Sequence, residues 1–435
     1  MFGVIHRLCR LAPVVFVLAL VAAGAANSQS TTPKTEISLS EALDLALRLN
    51  PELAMAAKEI GAQEGLVLQA GLIPNPELAI EAEDIGASRD GGLQRLTTYR
   101  LDQRIELGGK RQARSTAAAL AQDLAQQDYA AKRLALKARV ANTFTDVLAA
   151  QQRVQLAEES LQLAQAVVSA VGKRVQAGKA PPIEETKSSL VLSSANIELV
   201  QAQRELAASY KILSLLWGNP SPRFTRAHGE IARLAAVPSF EVLAQRVRNN
   251  PVAARSLKSV AQRQALLELE QARRVPDITV SAGYRRYAQT GENTGLLGIS
   301  IPLPFFDRNQ GNLREAHQRL GQAQDERDAT EYRLQSELAQ TYEALMAAQQ
   351  EVRVLRDEVL PAAKSAFNVA NRGYELGKFG FLEILDAQRT LFQNQALHVR
   401  ALVNYQKLVN ELERLTAMPI DTATDVLSQH TAQTK

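Results

Sequence analysis

Two carboxylates in the C-terminal part of the sequence could act together. Glu383 and Asp386 are three residues apart in a run of helix-forming residues, so their side chains share one face of a helix. Such a pair attracts cations, although an ordinary solvated helix face explains it equally well. Glu184 occupies the position equivalent to Glu383 in an earlier, related segment, but Lys187 stands where the second acid would be. Any acidic surface built from both segments is therefore unequal between them.

The sequence offers no set of residues for catalysis or for metal binding. His228, His317, His398 and His430 are scattered, and no two of them have the spacing of metal ligands. The sequence contains no phosphate-binding glycine loop, nucleophile elbow or glutamate-rich metal helix. Cys9 is the only cysteine, so disulfide bonds and cysteine metal sites are excluded from the rest of the chain. We therefore expect no enzyme activity, no cofactor and no bound metal.

The second half of the chain repeats the first. Asn50-Pro51 recurs as Asn250-Pro251, and Gly178-Lys179 recurs as Gly377-Lys378. The period is far too long for a solenoid, so the pattern indicates two fused copies of one unit. The expected organisation is a signal peptide at 1–28, a first structural repeat at 29–217, a connection at 218–239, a second repeat at 240–417 and a disordered tail at 418–435.

The N-terminus has the pattern of a secretory signal peptide. Arg7 and Arg10 precede an apolar core at 11–22, and small residues suitable for cleavage follow it. The apolar core is short for a membrane-spanning helix, and no later segment approaches the required length. Removing the two arginines from the 50 basic residues leaves 48 against 46 acidic ones. This small excess gives no reason to expect nucleic-acid binding.

Four short segments alternate between apolar and polar residues. In 99–107 the odd positions are apolar apart from Gln103, and the four even positions are all charged. Similar alternation of apolar and polar residues occurs at 78–83, 278–284 and 297–303. About ten residues, tilted by about 40°, reach about 25 Å, the height of the apolar band of an outer-membrane barrel. Four strands cannot close a barrel, so strands that face lipid must close by oligomerisation. The alternative is a soluble sheet with one wet face.

Two very long segments, 112–174 and 312–372, are rich in the strong helix formers Ala, Leu, Gln, Glu, Lys and Arg. About sixty residues of helix form a rod of about 90 Å. Each rod is followed by a Gly- or Pro-containing turn and a return helix, at 183–216 and 381–415, which predicts two antiparallel hairpins. The second rod has coiled-coil spacing of its apolar residues. These residues are Leu334, Leu338, Tyr342, Leu345, Ala348, Val352, Leu355 and Val359.

These features together resemble the TolC family of outer-membrane efflux channels over essentially the whole chain after the signal peptide. The most specific segment is 377–389, GKFGFLEILDAQR, which is similar to the family's second hairpin turn. The segments 106–111 and 301–309 are similar to its strand-to-rod passages. Within the family, 178–184 and 106–111 look most like the outer-membrane component of cobalt-zinc-cadmium efflux systems.

The resemblance implies a fold and an assembly. The fold is mainly α with a membrane β part, in which three chains each give four strands to a twelve-stranded barrel and two hairpins to a hollow α-barrel. The homotrimer would be embedded in outer-membrane lipid, with a long periplasmic extension. It would passively export divalent metal cations that an inner-membrane RND-type pump delivers through a periplasmic adaptor. Many relatives carry an N-terminal lipid, for which this sequence has no suitably placed cysteine.

The resemblance also assigns roles near the two hairpin turns. Glu383 and Asp386 would form a ring of six carboxylates at the periplasmic entrance, with Glu184 nearby. Tyr374 matches an aromatic position that helps hold the entrance shut, although packing in the hairpin seam is an alternative. The exposed turns would contact the adaptor. The residues expected in that contact are Lys173, Arg174, Gly178, Lys179, Arg372, Gly377 and Lys378.

Local helix chemistry gives another explanation for several turn residues. Gly178 and Gly377 suit the left-handed conformation that ends many helices. Lys173 and Arg372 lie just before each turn, where a cation complements the negative end of the helix dipole. These structural roles remain open beside the functional ones.

Two alternative functions are also open. A drug-efflux or type I secretion channel would have the same fold, and its inner-membrane partner would distinguish it. A periplasmic coiled-coil adaptor or scaffold without a pore belongs to a different class. An adaptor is expected to have one hairpin flanked by lipoyl-like β-modules, whereas this sequence predicts two hairpins and no such module.

Overall fold

The structure is a computed structural model that describes residues 36–85 and 95–420. The expected signal peptide at 1–28 and the tail beyond residue 420 lie outside the described residues. The first half contains β1 and two short helices, then two strands, then a helical hairpin. In order, the elements are β1 Glu36–Ser38, α1 Leu39–Leu49, α2 Pro51–Gly71, β2 Glu77–Glu83, β3 Leu96–Ile105, α3 Lys110–Gln176 and α4 Pro182–Leu215.

The second half follows the same order. It begins with a short strand and two helices, continues with two strands and ends with a second hairpin. Its elements are β4 Arg226–His228, α5 Phe240–Val247, α6 Pro251–Ala272, β5 Ile278–Tyr287, β6 Asn293–Ser300, α7 Gln310–Val354, a π-helix Leu355–Val359, α8 Leu360–Glu375 and α9 Phe381–Thr416. The expected mainly α fold, with two hairpins and four strands in a duplicated arrangement, is confirmed.

The two asparagine-proline pairs begin helices and also close each repeat. The Asn50 side chain accepts a hydrogen bond from the Leu53 N–H at 3.0 Å, and its amide donates to the Leu216 carbonyl at 2.8 Å. Asn250 is fully buried, caps α6 in the same way, and donates to the Leu415 carbonyl at 2.9 Å. Each asparagine therefore satisfies orphan groups at the start of one helix and at the end of another.

The rods pack through apolar seams. α3 lies against α2, α4, α6 and α9, and α7 lies against α6 and α9. The predicted seam of the second rod is buried at six of its eight positions and half-buried at Tyr342 and Val359. Ion pairs Lys258–Asp123 and Lys407–Asp146, both at 2.7 Å, join α3 to α6 and to α9 across the two repeats.

The second rod departs from α-geometry at one place. The Leu360 N–H bonds to the Leu355 carbonyl, five residues back, in the π-helix that precedes Pro361. Proline has no N–H and its ring crowds the preceding turn, and a π-turn widens the helix enough to accept it. The first rod has no such proline and runs as one α-helix of 67 residues.

Four strands form one antiparallel sheet in the order β2-β3-β5-β6. The central pair joins the two repeats, with Tyr99 opposite Tyr284 and Ile105 opposite Ile278. The strands have 7, 10, 10 and 8 residues. Within the described ranges, no helix is both long and apolar enough to cross a membrane.

The connection 218–239 has more structure than the sequence indicated. Its strand β4 pairs in parallel with β1, with Ile37 opposite Ala227, and both residues are buried. Phe224 is buried beside them against the first rod. The start of the expected disordered tail also packs, because Ile420 is buried and its N–H bonds to the Glu413 carboxylate at 3.1 Å. Residues 418–420 are thus part of the packed structure, and the expected disorder of the rest of the tail lies outside the described residues.

Candidate functional site

One face of the four-stranded sheet is apolar and uncovered. Leu297 and Ile299 of β6 are 90% and 72% exposed, and Leu78 and Ile80 of β2 are also exposed. The register places all of these side chains on the same face as Tyr99. A soluble sheet packs its apolar face on a core and leaves the other face wet. This sheet does not, because within residues 36–85 and 95–420 no layer covers its apolar face.

The opposite face of the sheet is polar and internally paired. Arg100 forms ion pairs with Glu81 at 3.4 Å and with Asp102 at 3.0 Å. Arg285 lies 3.6 Å from Glu83. The pairs between strands, Arg100–Glu81 and Arg285–Glu83, stabilise the sheet modestly and favour its register. The sheet thus has several paired charges on one face and exposed hydrocarbon on the other, the pattern of a membrane strand with a polar lumen.

A compact ion-pair cluster joins the sheet to the rods. Arg114 binds Glu106 through two hydrogen bonds of 2.7 and 3.1 Å and donates to the Ala70 carbonyl at the end of α2. Lys110 binds Asp277, which also accepts the Leu107 N–H at 3.2 Å. The cluster therefore connects α2, the β3–α3 passage and the start of β5, and it spans the two repeats.

The cluster shifts the acidity of its two carboxyl groups. The hydrogen bond with Arg114 lowers the pKa of Glu106. Burial raises the pKa of Asp277, but the hydrogen bonds from Lys110 and the Leu107 N–H outweigh it, so that this pKa is also lowered. Both carboxyl groups are therefore held in the charged form at the boundary between sheet and rods.

The two hairpin turns have the same backbone geometry. The Lys179 N–H bonds to the Arg174 carbonyl, and the Lys378 N–H bonds to the Gly373 carbonyl, each at 2.8 Å. Gly178 and Gly377 have φ of 67° and 72°, the left-handed conformation that such helix ends require. The structural role of these glycines is thus seen directly. Their contact with an adaptor remains a prediction.

Tyr374 ties the two hairpins together near the turns. It is buried, its hydroxyl lies 3.4 Å from the Glu184 carboxylate of α4, and its carbonyl accepts a 2.7 Å hydrogen bond from Arg174 of α3. The Arg174 guanidinium also stacks 4.3 Å from the centre of the tyrosine ring. Burial and the neighbouring Glu184 charge raise the pKa of Tyr374, despite the opposing Arg174 charge. One aromatic side chain of the second hairpin thus contacts both helices of the first.

A small apolar core supports this tie. Phe381 and Ile384 of α9 are buried with Val171 of α3, and the Phe381 ring lies 6.3 Å from that of Tyr374 in an edge-on arrangement. The turns are therefore positioned by packing between hairpins and not only by their own backbones. No sequence pattern indicated the packing of Phe381 on Val171 or the stacking of Arg174 on Tyr374, because both contacts join the two repeats.

The predicted acidic pair lies beside this core. Glu383 and Asp386 are exposed on α9. Glu184 is half-buried, and its carboxylate accepts the hydrogen bond from the Tyr374 hydroxyl. Asp386 also lines an open groove of about 940 Å³ between α4 and α9, together with Glu198 and Arg389. The structure thus leaves Glu383 and Asp386 exposed as an acidic patch on α9, whereas Glu184 is partly buried and engaged with Tyr374.

The predicted basic residues divide into two groups. Lys173, Lys179, Arg372 and Lys378 have exposed side chains around the two turns, whereas Arg174 is half-buried against Tyr374. Among residues 36–85 and 95–420, no group of three or more His, Cys, Asp or Glu side chains is arranged to hold a metal ion. The arrangement can attract cations and bind a partner at the turns.

Comparison with known proteins agrees with the geometry. The family described as outer membrane efflux protein matches residues 42–219 and again 242–418, one match for each repeat. The cobalt-zinc-cadmium resistance protein CzcC of Cupriavidus metallidurans is 40% identical over 87% of this chain and 90% of its own length. The nickel-cobalt-cadmium resistance protein NccC of Alcaligenes xylosoxydans is 28% identical over 72% of this chain and 71% of its own.

A solved structure shows the same fold. The open-state MtrE outer membrane channel of Neisseria gonorrhoeae superposes with a TM-score of 0.75 and 18% identity, over 88% of this chain and 89% of that one. The expected TolC-like architecture is therefore confirmed, and the outer membrane is the location that the family match supports. The chain belongs to the outer membrane efflux protein family.

Proposed function

We propose that three copies of this chain form a passive outer-membrane channel of a tripartite efflux pump. Each copy contributes the four strands to a twelve-stranded barrel and its two hairpins to a hollow periplasmic cylinder. The channel performs no chemistry: it provides a continuous path to the outside for cargo that an inner-membrane pump delivers. The chain therefore acts as a transport protein, as its family indicates.

The observation that carries this proposal is the four-stranded sheet, which exposes its apolar face instead of packing it on a core. Its apolar side chains are exposed, Arg100 and Arg285 on the other face are paired with acids, and among the described residues no further strand pairs with the edge strands β2 and β6. Burying the bare face in lipid recovers about 25 cal/mol for each Å² removed from water. Pairing the open edges with other copies removes the unpaired backbone groups that a bilayer does not tolerate.

The hairpin turns supply the entrance. The Tyr374 contacts with Arg174 and Glu184 hold the two hairpins of one chain together, so separating the hairpins requires these contacts to break. Three copies of Glu383 and Asp386 place six carboxylates around the narrow end. Carboxylate rings favour cations without binding them tightly, which suits a conduit that must also release its cargo.

We infer that the cargo is a divalent metal cation and that the partners are a periplasmic adaptor and an RND-type pump. The support is the 40% identity to CzcC, whose name assigns it to cobalt, zinc and cadmium resistance. NccC, less similar, also carries a metal-resistance name. The exposed acidic patch is consistent with cationic cargo.

Two measurements test this function. The first uses purified protein, for which we expect the mass of a trimer in detergent and stepwise conductance after reconstitution in a planar bilayer. A deletion strain is then exposed to zinc, cadmium and cobalt, and separately to dyes and detergents. Sensitivity to the metals alone supports the metal pump. Sensitivity to dyes and detergents alone would assign the channel to drug efflux, and a complete absence of conductance would leave a scaffold without a pore.

A further inference from the structure

The two hairpin turns have equal backbones but different surfaces. The second turn exposes Leu376 by 64%, Phe379 by 43% and Leu382 by 62%. At the equivalent positions the first turn has Ala177 and Ala180 in place of the first two, and retains only an exposed Ile183. An apolar cluster with an aromatic centre is therefore present on one turn of each chain and absent from the other. We name residues 376, 379 and 382 the apolar cluster.

The aromatic residue of the cluster is held in place before any partner arrives. The Phe379 N–H bonds to the Gly373 carbonyl at 3.2 Å, and the ring lies over the Gly373 backbone so closely that a Cβ there would overlap it. The equivalent of Gly373 in the first repeat is Arg174, which is engaged with Tyr374. An aromatic side chain that is already ordered loses little conformational entropy on binding, which favours affinity.

Exposed cations border the cluster, together with the carboxylates of Glu375 and Glu383. Lys378 and Arg372 flank it, and Lys173 and Lys179 border the first turn. In the described part of the chain these four side chains are exposed and make no ion pair with one another or with a neighbouring acid. Free cations around an exposed apolar cluster favour a partner that brings carboxylates to the rim of an apolar contact.

We propose that the second turn is the apolar anchor for the adaptor and that the first turn contributes mainly charge. The partner segment is the end of a helical hairpin that presents apolar side chains to Phe379 and Leu376, with carboxylates placed towards Lys378 and Arg372. This inference rests on the proposed tripartite function and adds the chemistry of its partner. In a trimer, the six turns present two kinds of surface in alternation.

The test is a binding measurement with the full-length channel in lipid nanodiscs and the purified adaptor that is encoded with its pump. Phe379→Ser and Leu376→Ser are compared with the matched first-turn variants Ala180→Ser and Ala177→Ser. We expect Phe379→Ser to weaken binding by about thirtyfold, as for a central aromatic anchor, and Leu376→Ser by about fivefold. Both alanine variants should stay within about twofold of the unmodified channel.

Leu376→Ser controls for misfolding, because the Leu376 side chain is 64% exposed. Each variant is accepted only as an intact trimer. Binding should also weaken between about 0.1 and 1 M salt, since exposed charge pairs are screened. Lys378→Glu should remove most of that salt dependence.

The possible failures are distinguishable. An unmodified channel that conducts but binds no adaptor would contradict both the tripartite proposal and this inference. An unmodified channel that binds, with Phe379→Ser and Leu376→Ser binding equally well, would contradict the inference alone. Equal losses at the first and second turns would also contradict it, because the anchor would then not be confined to one turn.

Discussion

The two ends of this molecule place their apolar side chains in opposite ways. In the sheet, Leu297 and Ile299 lie bare and the arginines opposite them are paired with acids. At the hairpin turns, Val171, Phe381 and Ile384 are buried in a core and the lysines are exposed, and the apolar side chains that stay exposed there are the apolar cluster of the second turn and Ile183 of the first. The same chain therefore contains one end arranged for hydrocarbon and one arranged for water. The proposed contact of the sheet with lipid rests on this difference.

The largest expected effect comes from a charge on the bare face of the sheet. Leu297→Arg should destabilise the protein in lipid vesicles by about 2–4 kcal/mol, the cost of an arginine near the middle of a bilayer. The comparison is Val369→Arg on α8, whose side chain is also exposed and where less than about 0.5 kcal/mol is expected. The measurement is chemical unfolding in vesicles. Equal effects at both positions would remove the distinction between the two ends.

The next effect concerns the tie between the hairpins. Arg174→Ala removes the charged hydrogen bond to the Tyr374 carbonyl and the stacking on its ring, together about 1–2 kcal/mol at this half-buried site. We expect the opening frequency in single-channel recordings to rise about tenfold, since 1.4 kcal/mol corresponds to about a factor of ten. Lys187→Ala, at an exposed position on α4, is the control. An unchanged opening frequency in Arg174→Ala would separate this tie from gating.

Acid and alkali should act at opposite ends of the molecule. Glu106 and Asp277 have pKa values lowered from 4.5 and 3.8. Their stabilisation is present above those values and is lost as the pH falls through the lowered ones. Tyr374 has a pKa raised from 10.0, so its contribution is present below pH 10 and is lost as the pH rises through the raised value. The free energy of unfolding, measured by chemical unfolding across the pH range, should therefore fall in both directions.

Single substitutions assign each arm of this pH profile. Asp277→Asn should flatten the acid arm and leave the alkaline arm, and Tyr374→Phe should do the reverse. Asp325→Asn, at an exposed position on α7, should change neither arm. If stability were still lost at low pH in Asp277→Asn and also in Glu106→Gln, the ion-pair cluster between sheet and rods would not be the cause of that loss.

The smallest effect is expected from the acidic patch. Glu383→Gln together with Asp386→Asn removes two exposed carboxylates from each chain, and exposed charges are strongly screened. We expect cation-over-anion permeability, measured from reversal potentials, to fall by about twofold at low salt and by less at physiological salt. Lys364→Gln on α8 is a charge control away from the patch. If the double variant had unchanged cation selectivity at low salt, the acidic patch would be only a solvated helix face without a role in permeation.

Much of the fold could be predicted because it depends on local sequence. The strand alternation, the coiled-coil seam and the Asn-Pro helix starts each require only the chemistry of neighbouring residues. The cap of α1 shows the limit of that approach. Ser40 is a reasonable cap from its position alone, but Ser38 forms the capping box with Glu41 because β1 ends there and sets where the helix begins.

The features that could not be predicted from the sequence depend on contacts between residues far apart in the chain. The pairing of β1 with β4 and the Tyr374 tie join segments far apart in sequence, and no periodicity indicates them. Pro361 was visible in the sequence, but the π-helix that accepts it also depends on the packing of α9 beside it. The assignment of Glu383, Asp386 and the exposed lysines to an entrance and an adaptor contact remains a prediction.

The central claim is that the bare face of the sheet contacts lipid and the paired face lines water. Nitroxide labels at Leu297→Cys and at Leu296→Cys test it directly, because the register places these neighbouring residues on opposite faces of β6. Both variants are made with Cys9→Ser and reconstituted in vesicles. We predict that the label at 297 is accessible to molecular oxygen and shielded from a water-soluble nickel complex, with the opposite result at 296. Equal access of the nickel complex to both labels would contradict the account.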